Sequence, residues 1–398
     1  MEFMDAEYLE IVEIEIYTIQ IPLIRPYDIA IGTITHTNNI VVRITASMSG
    51  GNDLLRRIEG WGEADPLNGF THETIDSILA TLQTLAPVLL GKNAFEINQL
   101  NILMHEISRD ATLAVGSIDI ALWDLVGKAR RAPVYALLGG TCGRNSFPLL
   151  WPLANQAVLD DNLMIPDLMR KGFRTFMLKM GGEDDNVAKQ ILRVKSINDD
   201  YAADKIVICV DVNQGWSLEQ AIQFICGVRG RRVNFIEQPL RAACDEEMEV
   251  LRQLGGGFKF AADESAQTVA DTRRCLRSIH FDYISLKVGK SGGITRMKEM
   301  AGACRVMGKR ILVSSFLELG IAQAAALHVA ATCDNLLDCG HSFMSTLRTK
   351  DDITNFRDYI RNAVVRLPEG TESHGLGVTV DLEKLERYAV REPVSFVK

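Results

Sequence analysis

The chain has 398 residues, 47% of them hydrophobic and 24% charged, with a formal net charge of −8. An acidic balance excludes a nucleic-acid binder, which needs a basic stripe to displace counterions. The length exceeds a typical domain, so two domains are expected, or one large α/β barrel with an addition. The eight cysteines include no CxxC pair and read as small buried side chains in a reducing cytosol. The first residues, "MEFMDAEYLE", carry no basic stretch before an apolar run, so they are not a signal peptide. No apolar run reaches the length of a membrane span. A soluble, cytoplasmic protein is expected, with no nucleic-acid or membrane partner.

In chain order, "IVEIEIYTIQIPL" alternates apolar and polar residues as a half-buried strand does. "NNIVVRITAS" reads as a second strand, "SGGND" (49–53) as a turn and "RIEGWGEA" as a third strand. Helical patterns follow near 73–90, 95–107 and 112–130. Strands first and helices after them indicate an α+β unit. From about 145 the rhythm changes. "FPLLWP", "TFMLKMG", "KIVICVDVN", "VNFIEQP", "FKFAADES", "FDYISLKV", "RILVSS" and "NLLDCG" are short apolar strands separated by segments of helical period. Eight such units in about 200 residues define a (β/α)8 barrel, whose parallel strands read as continuous apolar runs. Beyond about 350 the pattern breaks into turns, and this tail is expected to return to the N-terminal unit. The division is 1–140, 141–350 and 351–398.

Several strands end in a charge. The C-terminal strand ends of such a barrel line the active site. Strand three ends with Asp211, strand four with Glu237 and strand five with Asp263, and each step is 26 residues, one β/α unit. One such acid alone reads as the cap of the helix that follows. Three in step converge on one side of the mouth, where they repel unless a cation neutralises them. Mg2+ suits carboxylate oxygens and keeps positions for water and substrate. Asn213 points to the same side as Asp211 and is a candidate for hydrogen bonding in the site.

Lys179 ends strand two and Lys287 ends strand six, four places apart around the barrel. A lone lysine there reads as a snorkelled surface charge; two flanking a metal site read otherwise. Removing the proton next to a carboxylate creates an enediolate, whose negative charge a metal stabilises. A neutral lysine can take that proton, its pKa lowered by burial and a nearby cation. A second lysine opposite can return it to the other face and invert the centre.

The ordered set Lys179, Asp211, Glu237, Asp263 and Lys287 resembles the enolase superfamily, for which Lys or His bases beside Mg2+ are an established pattern. Within it the set resembles the mandelate racemase/muconate lactonizing enzyme family, and more closely its two-lysine muconate lactonizing subgroup. "IDIALWDLVGKARRAPVYALLGG" (118–140) and "KSGGIT" (290–295) also resemble family stretches. The resemblance implies a capping domain, built from the N-terminal segment and C-terminal tail, whose loops choose the substrate. By position these are 24–33 and 64–71, and Arg25 or Tyr27 would meet a polar substrate group or be ordinary loop residues. It implies that Glu318 backs the strand-six lysine by hydrogen bonding; the other reading is a charge at a helix N-terminus. Asp338 and His341, near the end of strand eight, stand where some members hold a substrate amino group or a second acid. The family is commonly oligomeric, so a homo-oligomer is expected. One departure is plain. The subgroup carries Lys-x-Lys on strand two, and here Met177 takes the first place.

The function expected is a Mg2+-dependent isomerase of a small carboxylate: a racemase, epimerase or cycloisomerase acting by α-proton abstraction. A dehydratase of a β-hydroxy acid shares the first step. A metal-independent Schiff-base lyase would have no need of the acids. A non-catalytic binding protein on the same barrel is the remaining alternative.

Overall fold

The computed structural model describes residues 8–30, 32–48, 56–154, 158–181, 186–242, 244–370 and 373–398. The turn expected at 49–53 lies outside them. The N-terminal strands form an antiparallel sheet in the order Val394–Val397, Leu9–Ile19, Asn39–Met48, Arg56–Ala64. The last strand of the chain thus pairs with the first. A register shift between Ile11 and Glu13 explains why the buried positions change phase, from Leu9 and Ile11 to Ile14 and Ile16.

The strand expected over 11–23 breaks at Gln20 and Ile21. The chain resumes as Pro22–Ile29, which pairs with Gly32–His36 in a two-stranded ribbon. The segment read as a loop at 24–33 is therefore mostly strand, largely exposed, with Tyr27 turned inward and buried.

Helices Ile75–Leu89, Ile97–Ile107 and Thr112–Arg130 pack on the sheet. The third is buried nearly all round because it is wedged between sheet and barrel. Asp119 and Trp123 on it both bond Thr295 of a barrel helix. On its other side the strand Arg56–Ala64 presses close through two glycines. A Cβ on Gly62 would lie 1.8 Å from the Ser117 carbonyl oxygen, and one on Gly60 2.2 Å from that of Ala121.

The barrel strands are Leu150–Leu153, Thr175–Lys179, Val207–Asp211, Ile236–Glu237, Phe260–Ala262, Tyr283–Leu286 and Arg310–Val313, all parallel neighbours in that order. The eighth unit is irregular, yet it closes the barrel. Leu337 N–H donates to Ile311 O at 2.9 Å, and Leu150 N–H to His341 O at 3.0 Å. Leu150, Met177, Cys209, Phe235, Ala261, Leu312, Leu337 and Cys339 fill the interior. Met177 is thus part of an apolar floor one turn of the pleat below Lys179.

Candidate active site

Strand register sets the first three charges level. Asp211 is the direct partner of Lys179 on one side and of Glu237 on the other. Asp263 follows the end of the next strand. All three acids are buried. Glu237 has both carboxylate oxygens buried and without a hydrogen-bond partner among the described residues. Its pKa is pushed well above the usual carboxylate range by burial, then by Asp211 and Asp263. Asp263 goes the other way. Burial alone would raise it, but the Lys287 and Lys290 ammoniums hold it down at about 2.

Strand four ends at Glu237 because the backbone turns sharply there. Gln238 takes a φ of 37° and Pro239 cannot donate to a ladder. The Gln238 side chain then ties strand five in place. Its Oε1 accepts the amides of Asp263 and Ser265 at 3.1 and 3.0 Å, and its Nε2 donates to Leu240 O and Ser265 Oγ, each at 2.8 Å. Asn213 and Gln214, past the end of strand three, also have positive φ. Non-glycine residues in that region collect at functional sites.

Both lysines face the same cavity, which Asp211, Asn213, Glu237 and Met177 also line. Lys179 donates to Asp211 Oδ2 and, at 3.1 Å, to Asn213 Oδ1. Lys287 donates to Asp263 Oδ2 at 2.7 Å. Burial works against each charge, but Asp211 beside Lys179 and Asp263 beside Lys287 more than offset it, and both pKa values are raised. Without a cation, the acids hold both amines protonated.

The cap supplies the roof. Tyr27, Ile29 and Ile34 come from the ribbon, and Leu67 and Phe70 from the 64–71 loop. Phe70 and Phe316 form an edge-to-face pair with centroids 4.8 Å apart. Lys287 Nζ lies 3.9 Å from the first ring and 4.4 Å from the second. The covered cavity measures about 50 Å3. Arg25 lines a separate outer cavity of about 550 Å3, which Tyr27 borders as well.

Three expected placements need correction. Glu318 does not hydrogen-bond Lys287 among the described residues. Its carboxylate turns back on its own loop and accepts from Ser315 Oγ, Phe316 N–H and Gln323 Nε2, just ahead of helix Gly320–Ala331. Asp338 is largely exposed and pairs with Arg310 and Arg144. Arg310 begins strand seven, so Asp338 lies toward the end of the barrel opposite the site. His341 is buried in the wall, with Nδ1 accepting from Val313 N–H at 3.1 Å, and does not line the cavity. Strand eight runs further than its sequence suggests, and Ser342 and Met344 are what it brings to the mouth.

Sequence reasoning missed Gln238, Glu264, Lys290 and Arg348. Lys290 lies in the quoted stretch "KSGGIT". Its buried Nζ bonds Asp263 Oδ1 at 2.7 Å and the carbonyls of Asp263 and Ser285, each at 2.8 Å. Glu264 accepts from Asn213 Nδ2 at 3.2 Å, and burial, then Asp263 and Asp211, push its pKa up to about 8. The doublet Asp263-Glu264 was a readable signal for it. Arg348 sits on a short 3-10 turn and had none.

A capped barrel whose strand ends carry this set of acids and lysines is an enzyme of the enolase superfamily. Residues 165–385 match the Enolase C-terminal domain-like family, and residues 11–139 the Mandelate racemase / muconate lactonizing enzyme N-terminal domain. The chain belongs to the mandelate racemase/muconate lactonizing enzyme family. It is 27% identical over 387 residues to a chloromuconate cycloisomerase from Pseudomonas putida, covering 96% of this chain and 99% of that one. The crystal structure of the N-succinyl Arg/Lys racemase from Bacillus cereus superposes with a TM-score of 0.87 at 26% identity, over 97% of this chain and 100% of that one. A dipeptide epimerase from Cytophaga hutchinsonii, solved with Mg and the dipeptide D-Ala-L-Val, gives 0.86 at 25% identity over 97% and 99%. These relatives are isomerases, and by this kinship the chain is an enolase-superfamily isomerase. No described helix is long and apolar enough to cross a membrane.

Proposed function

We propose that the protein is a Mg2+-dependent racemase or epimerase of a small carboxylate, acting by α-proton abstraction. The observation that carries this reading is the pair Lys179 and Lys287, set on strands two and six of one cavity with Glu237 between them in strand order. An amine on each face favours inversion of a centre over chemistry confined to one face.

The residues present fit a divalent cation. A buried carboxylate without a partner is costly, and Glu237 is one, with Asp211 and Asp263 on the strands either side. These three would hold the ion. Bound there, Mg2+ supplies positive charge against the negative charge that develops on the substrate carboxylate.

Lys179 and Lys287 take and return the α-proton at Nζ. Each is paired with a proposed metal ligand, so each becomes available as a base when that carboxylate is engaged elsewhere. Phe70 and Phe316 shield Lys287 from water, and the apolar roof does the same for the cavity. Gln238 and Lys290 hold Asp263, and Asn213 orients Lys179. Glu318 acts on Lys287 through its charge and not through a hydrogen bond. The eight free thiols fit a reducing, cytoplasmic setting.

The test is a proton NMR screen in D2O with Mg2+, using N-acyl amino acids and dipeptides of defined chirality. The α-proton signal should disappear and both configurations should form. If no member of the panel exchanges its α-proton, the reading falls.

A further inference from the structure

Lys179 and Lys287 have matching roles in the proposed reaction, but the chain holds their backbones differently. Lys287 leads straight into the short helix Val288–Ser291, and its carbonyl accepts from Ser291 N–H at 2.9 Å. No helix follows Lys179 so closely; the next one begins at Val187. Ladder pairing between strands one and two ends at Leu153 and Leu178. One residue further on, Arg193 takes over. From helix Val187–Asp200 its guanidinium donates through Nη1 to Lys179 O and through Nη2 to Ala154 O, each at 2.8 Å.

Arg193 is itself gripped from a third element. Asp161, on helix Val158–Arg170, accepts from Nε at 2.5 Å and from Nη2 at 2.9 Å. Arg193 is 3% exposed and Asp161 fully buried. Desolvating two charges is costly, and apolar residues of similar volume often replace such a pair with no loss of stability. Apolar residues cannot hold two carbonyl oxygens at the fixed spacing of a planar fork. Through one of those carbonyls the fork fixes the backbone from which the Lys179 side chain rises. Asp211 and Asn213 hold the amine at its other end.

We propose that Arg193, held by Asp161, is a positioning residue for Lys179, so that the pair governs proton transfer on one face of the substrate and leaves the other face to Lys287. The inference rests on the two-base reading above.

Arg193→Met alone would leave Asp161 buried without its partner. The test therefore uses the double variant Arg193→Met with Asp161→Leu, whose apolar pair should keep the wild-type stability in urea unfolding. Deuterium exchange in D2O with Mg2+ is measured on the separate enantiomers of each N-acyl amino acid or dipeptide that the wild type exchanges. Lys179→Ala identifies the enantiomer that Lys179 serves as the one whose exchange is lost. In the double variant, exchange of that enantiomer should fall about 10²-fold, the effect of misplacing a reacting group by about 1 Å. Its mirror image should exchange at the wild-type rate. Arg193→Lys keeps the charge but not the fork. It should show the same one-sided loss in smaller measure, and it carries the test where the double variant does not fold. No loss, or equal loss on both enantiomers, overturns the proposal. A crystal structure of the variant without Mg2+ or substrate separates the two readings. Lys179 Nζ should leave Asn213 Oδ1, 3.1 Å away in the wild type, while Lys287 stays on Asp263 at 2.7 Å. A displaced Lys179 together with a wild type that exchanges no compound contradicts the isomerase reading alone. A Lys179 still on Asn213 contradicts this inference alone.

Discussion

Gln238 Oε1 accepts the backbone amide of Asp263 at 3.1 Å, so the residue after one proposed metal ligand fixes the position of the next. Gln238→Leu would remove the partner of two buried amides, the Leu240 carbonyl and the Ser265 hydroxyl. Each unsatisfied group costs about 1–3 kcal/mol, and loss of such outer support weakens metal binding by roughly 10–100-fold. Urea unfolding and Mg2+ titration should both register the change. Gln238→Glu, which keeps the acceptor, should recover part of the affinity. Equal affinity in wild type and Gln238→Leu would contradict the positioning role.

Glu237 makes a prediction of opposite sign in two conditions. In EDTA, Glu237→Gln removes the repulsion that Asp211 and Asp263 exert on the Glu237 carboxylate and should stabilise the protein. In excess Mg2+ the order should reverse, because only the wild type gains the stabilisation that binding confers. Thermal unfolding with and without metal checks it. A variant stabilised by Mg2+ as much as the wild type would count against Glu237 as a ligand.

The two lysines should fail differently. Lys179→Ala and Lys287→Ala should each lower net inversion by roughly 10²–10⁴-fold, the range of a lost general acid or base. Each variant should still exchange the α-proton of the one enantiomer that faces its remaining lysine. Polarimetry and NMR on both enantiomers separate the outcomes. Exchange of both enantiomers in either variant would refute the two-base arrangement.

His328 makes stability depend on pH. Tyr135 N–H donates to its Nδ1 at 3.2 Å, so the ring proton is on Nε2, facing Leu376 O at 3.0 Å. Burial holds its pKa down at about 4, against an ordinary value of 6.5. The unfolded chain therefore takes up this proton first as pH falls, and stability is lost between pH 6.5 and about 4. His328→Gln lacks that loss. The stability advantage of wild type over His328→Gln should shrink by roughly 2 kcal/mol between pH 7 and pH 5. Urea unfolding at the two pH values measures it, and a constant gap would contradict the assignment.

Gly62→Ala tests the seat of the cap. Its Cβ would meet the Ser117 carbonyl at 1.8 Å, and neither the helix nor the sheet can yield locally. A loss of about 3 kcal/mol is expected, the upper end of overpacking costs. Unchanged unfolding would show that sheet and helix can part there.

The barrel and its charged strand ends were legible because each β/α unit repeats one pattern, and a charge at the end of an apolar run stands out. Strand eight was misjudged for the same reason. "LLDCG" breaks the apolar run at Asp338, so the strand reads as finished, whereas backbone pairing resumes at His341 and reaches the mouth at Ser342. Met177 was seen as a departure, but its part in the apolar floor depends on residues from six other units. Gln238, Lys290 and Arg348 act through geometry that no spacing encodes: a positive φ, a buried amine reaching back one strand, and a turn beyond the last strand.

The most direct test of the central claim is a crystal structure grown with Mg2+. The account predicts an ion held by Asp211, Glu237 and Asp263, with the Lys179 and Lys287 amines released from their acids and facing the cavity. An ion bound elsewhere, or lysines still clasped by Asp211 and Asp263 in saturating Mg2+, would contradict it.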